Sequence, residues 1–155
     1  MDGVVLRRMA PEDVADVLRV QLAAFTIEAR LYDDPALPPL LEQAEAVRAD
    51  LASGAGFVAV KDGRVVGSVR THVEGRTLHI ARLAVEPAAQ GRGIGTALLA
   101  LAETTADADE ARLFTGHRSL GNLRLYAAAG YREERRRAVD DKVTLVYLRK
   151  ALPAT

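Results

Sequence analysis

The spacing of hydrophobic residues is helical in the first third of the chain and alternating in the middle. Residues 4–9 form a short apolar-rich stretch that predicts a strand. Pro11, which is tolerated in a first helical turn, then opens a segment whose apolar face is formed by Val14, Val17, Leu18, Leu22 and Phe25. A second helix is predicted from about Pro39 to Ala52, after a break at the aspartates and prolines of residues 33–39.

The middle of the chain predicts three consecutive strands, at residues 57–60, 65–73 and 77–85. The first two are joined through Asp62-Gly63, a pair that favours a tight hairpin. In the third strand the apolar alternation slips by one position between Ile80 and Leu83. Such a slip indicates either a β-bulge, which often lies beside an active site, or a strand that is apolar on both faces.

The last third of the chain predicts a helix from about Gly93 to Ala106, a strand at residues 113–115 and a short helix at residues 122–129. Gly130 suits the position that follows the end of that helix. Two strands, starting at Tyr131 and Val143, complete the order β-α-α-β-β-β-α-β-α-β-β. This order predicts an α/β fold with a mixed sheet, helices on both faces and one domain over residues 1–155.

Composition narrows the classes of function. The 21 basic and 21 acidic side chains balance, so the net charge does not favour nucleic acid or an anionic membrane as a partner. No apolar run approaches the roughly 20 residues of a membrane span, and the first ten residues lack a signal-peptide pattern, so we expect a cytoplasmic location. With no Cys and only three His, no metal centre is expected, and His72 and Glu74 are expected to be exposed hairpin residues.

The strongest chemical signal is a glycine-rich segment where the third predicted strand gives way to a helix: Gln90, Gly91, Arg92, Gly93, Ile94, Gly95 and Thr96. The first amides of a helix lack intrahelical acceptors and the helix dipole adds positive potential, so this segment is a candidate anion site. It does not fit the Rossmann spacing, and it lacks the Lys of a P-loop. A glycine-rich turn without a ligand is the alternative.

Two motifs carry a resemblance to a known family. Gln90 to Gly95 resembles the acetyl-CoA signature Q/R-x-x-G-x-G/A of the GNAT superfamily of N-acetyltransferases, and residues 83–87 resemble its usual lead-in. Further on, Asn122, Leu125-Tyr126 and Gly130-Tyr131 resemble the second conserved region of that family. The resemblance implies a GNAT-like acyl-CoA N-acyltransferase fold, with acetyl-CoA as cosubstrate in a V-shaped cleft between the bulged strand and the strand at residues 113–115.

The same resemblance assigns roles to single residues. The pantetheine arm of acetyl-CoA would pair with the backbone of Leu83, Ala84 and Val85, and the pyrophosphate would lie on the amides of residues 90–96. Asn122 would contact the pantetheine arm, or alternatively cap a helix. Tyr126 would donate a proton to the departing thiolate, or alternatively be a core aromatic.

The general base is the least determined part of the site. Relatives often have Glu near the position of Ala81. His79, two residues earlier on the same face, and His117, after the next strand, are candidates, although each could instead be structural. Proton removal through water is the third possibility.

The acceptor is an amine that the sequence does not name. The acidic residues that precede the first hairpin, against Arg30 alone, either attract a cationic amine or form a solvated surface: Glu28, Asp33, Asp34, Glu42 and Glu45. We therefore expect an acetyl-CoA-dependent N-acetyltransferase that acts by direct attack on the thioester, with a non-catalytic acetyl-CoA-binding sensor or structural module as the alternative. A homodimer is compatible with either function.

Overall fold

The computed structural model of the protein describes residues 2–153. The strands are β1 (Val4–Arg8), β2 (Ala55–Lys61), β3 (Arg64–Glu74), β4 (Thr77–Val85), β5 (Glu110–Gly116), β6 (Arg132–Ala138) and β7 (Thr144–Ala151). The helices are α1 (Val14–Tyr32), α2 (Pro38–Leu41), α3 (Ala44–Ser53), α4 (Ile94–Thr105) and α5 (Leu120–Ala128). None of the helices in this part of the chain is both long enough and apolar enough to cross a membrane.

The strands form one mixed sheet in the order β1-β2-β3-β4-β5-β7-β6. Every neighbouring pair is antiparallel except β4 and β5, which are parallel. Helix α4 packs on one face through Ile94, Leu98 and Leu99, whereas α1 packs on the opposite face through Val17 and Val20. The predicted α/β fold with helices on both faces is therefore confirmed.

The irregularity predicted in the third strand is a β-bulge. Ser68 of β3 lies opposite Ala84 and Arg70 lies opposite Ala81, so two residues of β4 face one residue of β3. Arg82 lies in the bulge and has a φ of 57°, a left-handed backbone conformation that non-glycine residues seldom adopt. The bulge bends β4 at the point where the sheet must open.

The predicted second helix is interrupted. Residues 38–41 and 44–53 are helical, but Glu42 has an extended backbone, with φ −68° and ψ 137°. The Glu42 carboxylate accepts hydrogen bonds from the buried side chains of Gln21 and Arg70. These contacts, made to residues distant in sequence, compensate for the broken helix, and periodicity alone could not reveal them.

Candidate active site

The sheet opens into a cleft between β4 and β5. These two parallel strands pair only over Thr77–His79 and Glu110–Arg112. Beyond that point β4 stays with β3 as far as Val85, and β5 stays with β7 as far as Gly116. The two strands therefore diverge, as the V-shaped cleft requires, and the bulge at Arg82 lies just after the point of divergence.

The diverging part of β4 presents backbone groups toward the cleft. A strand edge without a neighbouring strand can pair with an extended ligand through its amide and carbonyl groups. Leu83, Ala84 and Val85, predicted to pair with pantetheine, lie in this part of β4. The carbonyl of Val85 already accepts a hydrogen bond of 2.9 Å from Gln90 Nε2, which ties the following loop to the end of the strand.

The loop before α4 has the geometry of an anion site. Gly91 and Gly93 have φ angles of 77° and 82°, which glycine adopts without a steric penalty. In the described part of the chain no acceptor is found for the amides of Gly91, Arg92 and Gly93, and Ile94 begins the helix. Arg92 and Lys61 line the adjoining groove, together with Glu86 and Asp2. Free amides and a helix N-terminus suit a pyrophosphate, whereas the two cations and two carboxylates of the groove balance.

Gly95 has a different role from the other two loop glycines. A Cβ at this position would lie 3.1 Å from Leu125 Cδ1 on α5, which is tighter than ordinary packing. The absence of a side chain therefore allows α4 and α5 to pack closely. Gly91 is the clearer probe of ligand approach, because a Cβ there would meet no protein atom within 4 Å.

We expect Gly91→Ala to weaken binding of acetyl-CoA about tenfold or more, equivalent to about 1.4 kcal/mol. The added methyl group would occupy the space above the loop amides, and the left-handed backbone would be strained by about 1–2 kcal/mol. Gly75→Ala is the matched control, because Gly75 also has a positive φ, of 61°, and open surroundings, but lies in the β3–β4 turn. Calorimetric titration should show weaker binding for Gly91→Ala only. Equal affinities for both variants would exclude the loop as the phosphate site.

Tyr126 and Asn122 lie on α5, which faces the end of β5. The Tyr126 side chain is buried, with 5% exposed, and its hydroxyl has no hydrogen-bond partner among residues 2–153. Burial, with a further contribution from the Glu28 charge, raises the pKa of Tyr126 above its usual value. The phenol is therefore protonated at neutral pH, and the same shift makes it a weaker proton donor than a solvent-exposed tyrosine. Asn122 lies within α5, whose N-cap is Ser119, so the capping alternative is wrong; its Nδ2 donates to Thr115 Oγ1 at 3.3 Å.

A polar cluster near Tyr126 was not predicted from the sequence. Ser119 Oγ donates to Glu28 at 2.6 Å and also shares a hydrogen bond of 2.7 Å with the Tyr32 hydroxyl. The backbone amide of Arg118 donates to the same Tyr32 hydroxyl at 3.0 Å. The cluster joins the end of α1 to the start of α5. Because its members lie 87 and 91 residues apart, no spacing in the sequence connects them.

The two histidine candidates lie at different places relative to the cleft. His79 is opposite Arg112, in the part of β4 that still pairs with β5, so it marks the closed end of the cleft. Burial, followed by the neighbouring His72, lowers the pKa of His79. His117 lies beyond β5, where its Nδ1 lies 3.0 Å from the Thr144 amide nitrogen and 3.2 Å from the Thr144 carbonyl oxygen.

Buried charges connect α2 to the bulged region of the sheet. Arg70, 2% exposed, donates to Glu42, and Arg82 Nε lies 3.5 Å from the same carboxylate. Burial raises the pKa of Glu42, but the hydrogen bonds from Gln21 and Arg70 outweigh burial, so the pKa lies below its usual value. Glu42 is thus matched by arginines and contributes little to an acidic rim that would attract cations.

Comparison of the sequence with models of known protein families identifies the family of this chain. The model described as the acetyltransferase (GNAT) family matches residues 22–131, which include β4, the glycine-rich loop and α5. The chain belongs to the GNAT acetyltransferase family. The resemblance inferred from Gln90–Gly95 and Asn122–Tyr131 is therefore confirmed.

Individual relatives of this GNAT chain are distant. The UPF0157 protein YqkA of Bacillus subtilis is 28% identical over 119 residues, which cover 76% of this chain and 34% of that protein. The chain thus spans about a third of the length of that relative.

Solved structures agree in fold. An IAA acetyltransferase from Bacillus cereus has a TM-score of 0.72 at 23% identity, covering 96% of this chain and 99% of that one. The PaiA N-acetyltransferase from Thermoplasma acidophilum, solved with coenzyme A, has a TM-score of 0.75 at 18% identity. The match covers 96% of this chain and 98% of that one. At these identities the likeness shows the GNAT fold, a fold that binds coenzyme A in the second of these proteins.

Proposed function

We propose that this GNAT protein transfers the acetyl group of acetyl-CoA to a primary amine of a small molecule or peptide, by direct attack on the thioester. The observation that carries the proposal is the cleft between β4 and β5, with the free amides of residues 91–93 in the loop after β4 and Tyr126 on α5, the helix that follows β5. A phosphate-binding loop, a strand edge and a proton donor are the parts that the reaction needs.

The reaction forms one bond and breaks another. The neutral amine nitrogen bonds to the thioester carbon, and backbone N–H groups near Leu83 to Val85 stabilise the resulting oxyanion. The C–S bond then breaks and Tyr126 donates its proton to the departing sulfur. The amine loses its own proton to a base, and the tyrosine recovers a proton from solvent.

Besides His117 and water, two side chains compete for the role of base. His79 is favoured by its lowered pKa, because a base must be unprotonated at working pH. Glu28 is favoured by position, because its charge acts on Tyr126 and its carboxylate is held by Ser119. If His79 is the base, His79→Gln should lose the acidic limb of the kcat/KM profile, which lies below the usual histidine range because burial lowers the pKa of His79, and Glu28→Gln should keep that limb. The opposite pattern assigns the role to Glu28, and retention of the limb in both variants excludes both side chains.

A non-catalytic acetyl-CoA-binding module is the second candidate function. Ala81, on the bulged strand, has no carboxylate to offer as a base. In such a module the cleft would bind acetyl-CoA without turnover, and Tyr126 would be a packing residue.

A turnover assay separates the two functions. Purified protein is incubated with acetyl-CoA and a panel of amines that includes amino acids, polyamines, arylamines and peptides with free N-termini, and released thiol is measured. Thiol release that depends on both protein and amine supports the enzyme. Tight binding of acetyl-CoA in calorimetry, without thiol release for any amine, supports the binding module. If the protein neither binds acetyl-CoA nor releases thiol, acetyl-CoA is not its ligand.

A further inference from the structure

The β3–β4 hairpin brings together two imidazoles and a carboxylate. His72 and His79 are direct partners across the two antiparallel strands, and their rings stack with centroids 4.7 Å apart. Glu74 is two residues after His72, and its Oε2 lies 3.7 Å from His79 Nε2. One ligand atom from each of the three side chains lies within 4.8 Å of the other two.

The backbone explains why these side chains converge. Residues two apart on a strand project from the same face, so His72 and Glu74 share a face of β3. His79, paired with His72 across the ladder, projects from the same face of the sheet. The two strands of the hairpin therefore fix the relative positions of three ligand groups that the sequence separates by a turn.

The chemistry of the three groups selects a class of ligand. Two neutral imidazole nitrogens and one carboxylate oxygen are ligands that suit Zn²⁺, which leaves further coordination positions for water. Arg112, the nearest facing cation on β5, is itself paired with Glu110 and Glu134.

We propose that His72, Glu74 and His79 bind a zinc-class divalent cation on the outer part of the β3–β4 hairpin. The side chain of Glu74 is 79% exposed, so it can rotate to bring its oxygen to coordinating distance. Binding would clamp β3 to β4 at the closed end of the cleft and would occupy His79. The proposal does not depend on acetyl transfer, although a bound ion would inhibit turnover if His79 is the base.

Calorimetric titration of ZnCl₂ into the tag-free chain, without acetyl-CoA, tests the site. We expect saturable binding of one ion per chain, and no binding of Mg²⁺, which prefers oxygen ligands. His72→Gln should weaken Zn²⁺ binding at least about tenfold, since even the loss of an outer partner of a metal ligand costs that much. His117→Gln is the matched control, because it removes the remaining imidazole of the chain, and it should bind like the unaltered protein.

A measurement on the unaltered protein does not depend on the folding of any variant. Zinc should shift the ring-nitrogen NMR signals of His72 and His79 and leave those of His117 unchanged. Absence of saturable binding, a shift confined to His117, or equal affinity in His72→Gln would each overturn the site.

Discussion

Tyr126→Phe should lower kcat about 100-fold, which is the low end of the loss expected when a general acid is removed. The affinity for acetyl-CoA should stay nearly unchanged. The substitution removes only a hydroxyl that has no hydrogen-bond partner among residues 2–153. The folded protein therefore loses no hydrogen bond and its free energy of unfolding should hardly change. Rapid thiol detection for kcat and urea unfolding for stability measure the two quantities.

Tyr131→Phe is the matched control. Tyr131 is also buried, with its ring 6.0 Å from that of Tyr126, but its hydroxyl donates to Glu103 at 2.7 Å. Losing this hydrogen bond to a charged group should cost about 1.5–3 kcal/mol of stability and leave kcat intact. If Tyr126→Phe retains full turnover, Tyr126 is a packing residue and the acid lies elsewhere.

Glu42→Gln should destabilise the protein by about 3 kcal/mol, the lower value for removing one partner of a buried ion pair. The Arg70 guanidinium has 3% of its side chain exposed, and it would lose its buried carboxylate partner and keep only the half-exposed Asp50, whose Oδ2 lies 3.2 Å from Arg70 Nε. Glu133→Gln is the control, since the exposed pair of Glu133 with Arg136 is expected to contribute less than about 1 kcal/mol. Urea unfolding that gives equal losses for the two variants would contradict a structural role for the buried pair.

The effect of Glu42 should depend on pH. Because its folded-state pKa is lowered, the carboxylate contributes stability above its unfolded pKa, about 4.3, and that contribution is lost as pH falls through the folded value. The difference in unfolding free energy between the unaltered protein and Glu42→Gln should therefore be full at pH 7 and shrink below about pH 4. A difference that stays constant down to pH 3 would show that ionisation of Glu42 is not its source.

Local patterns in the sequence predicted the parts of the site that are local in the chain. The slip between Ile80 and Leu83 indicated a bulge or a strand that is apolar on both faces, and the structure has the bulge. The glycines before α4 indicated a loop whose backbone an anion can approach, and the structure adds the left-handed backbone at Gly91 and Gly93. Both features depend on a few adjacent residues, so a short window contains the information that specifies them.

Other parts of the structure depend on contacts between residues that are far apart in the sequence, so no short stretch of sequence indicates them. Glu42 breaks a helix because buried partners on α1 and β3 bind its carboxylate. The Glu28–Ser119 contact forms only when α1 and α5 meet at the end of the sheet. The sequence predicted Gly95 as a cofactor-binding residue, and what the structure shows at this position is close packing, since a Cβ there would lie 3.1 Å from Leu125 Cδ1.

The three-residue ladder between β4 and β5 has a mechanical consequence. It divides the sheet into one half formed by β1 to β4 and another formed by β5 to β7, with few backbone hydrogen bonds across the seam. If pantetheine lies along the free edge of β4 as proposed, bound acetyl-CoA adds backbone hydrogen bonds between the two halves of the sheet, and its release removes them. The contact between β4 and β5 would then be more rigid with acetyl-CoA bound than without it. Slower hydrogen exchange of the amides in β4 and β5 would report the bound state.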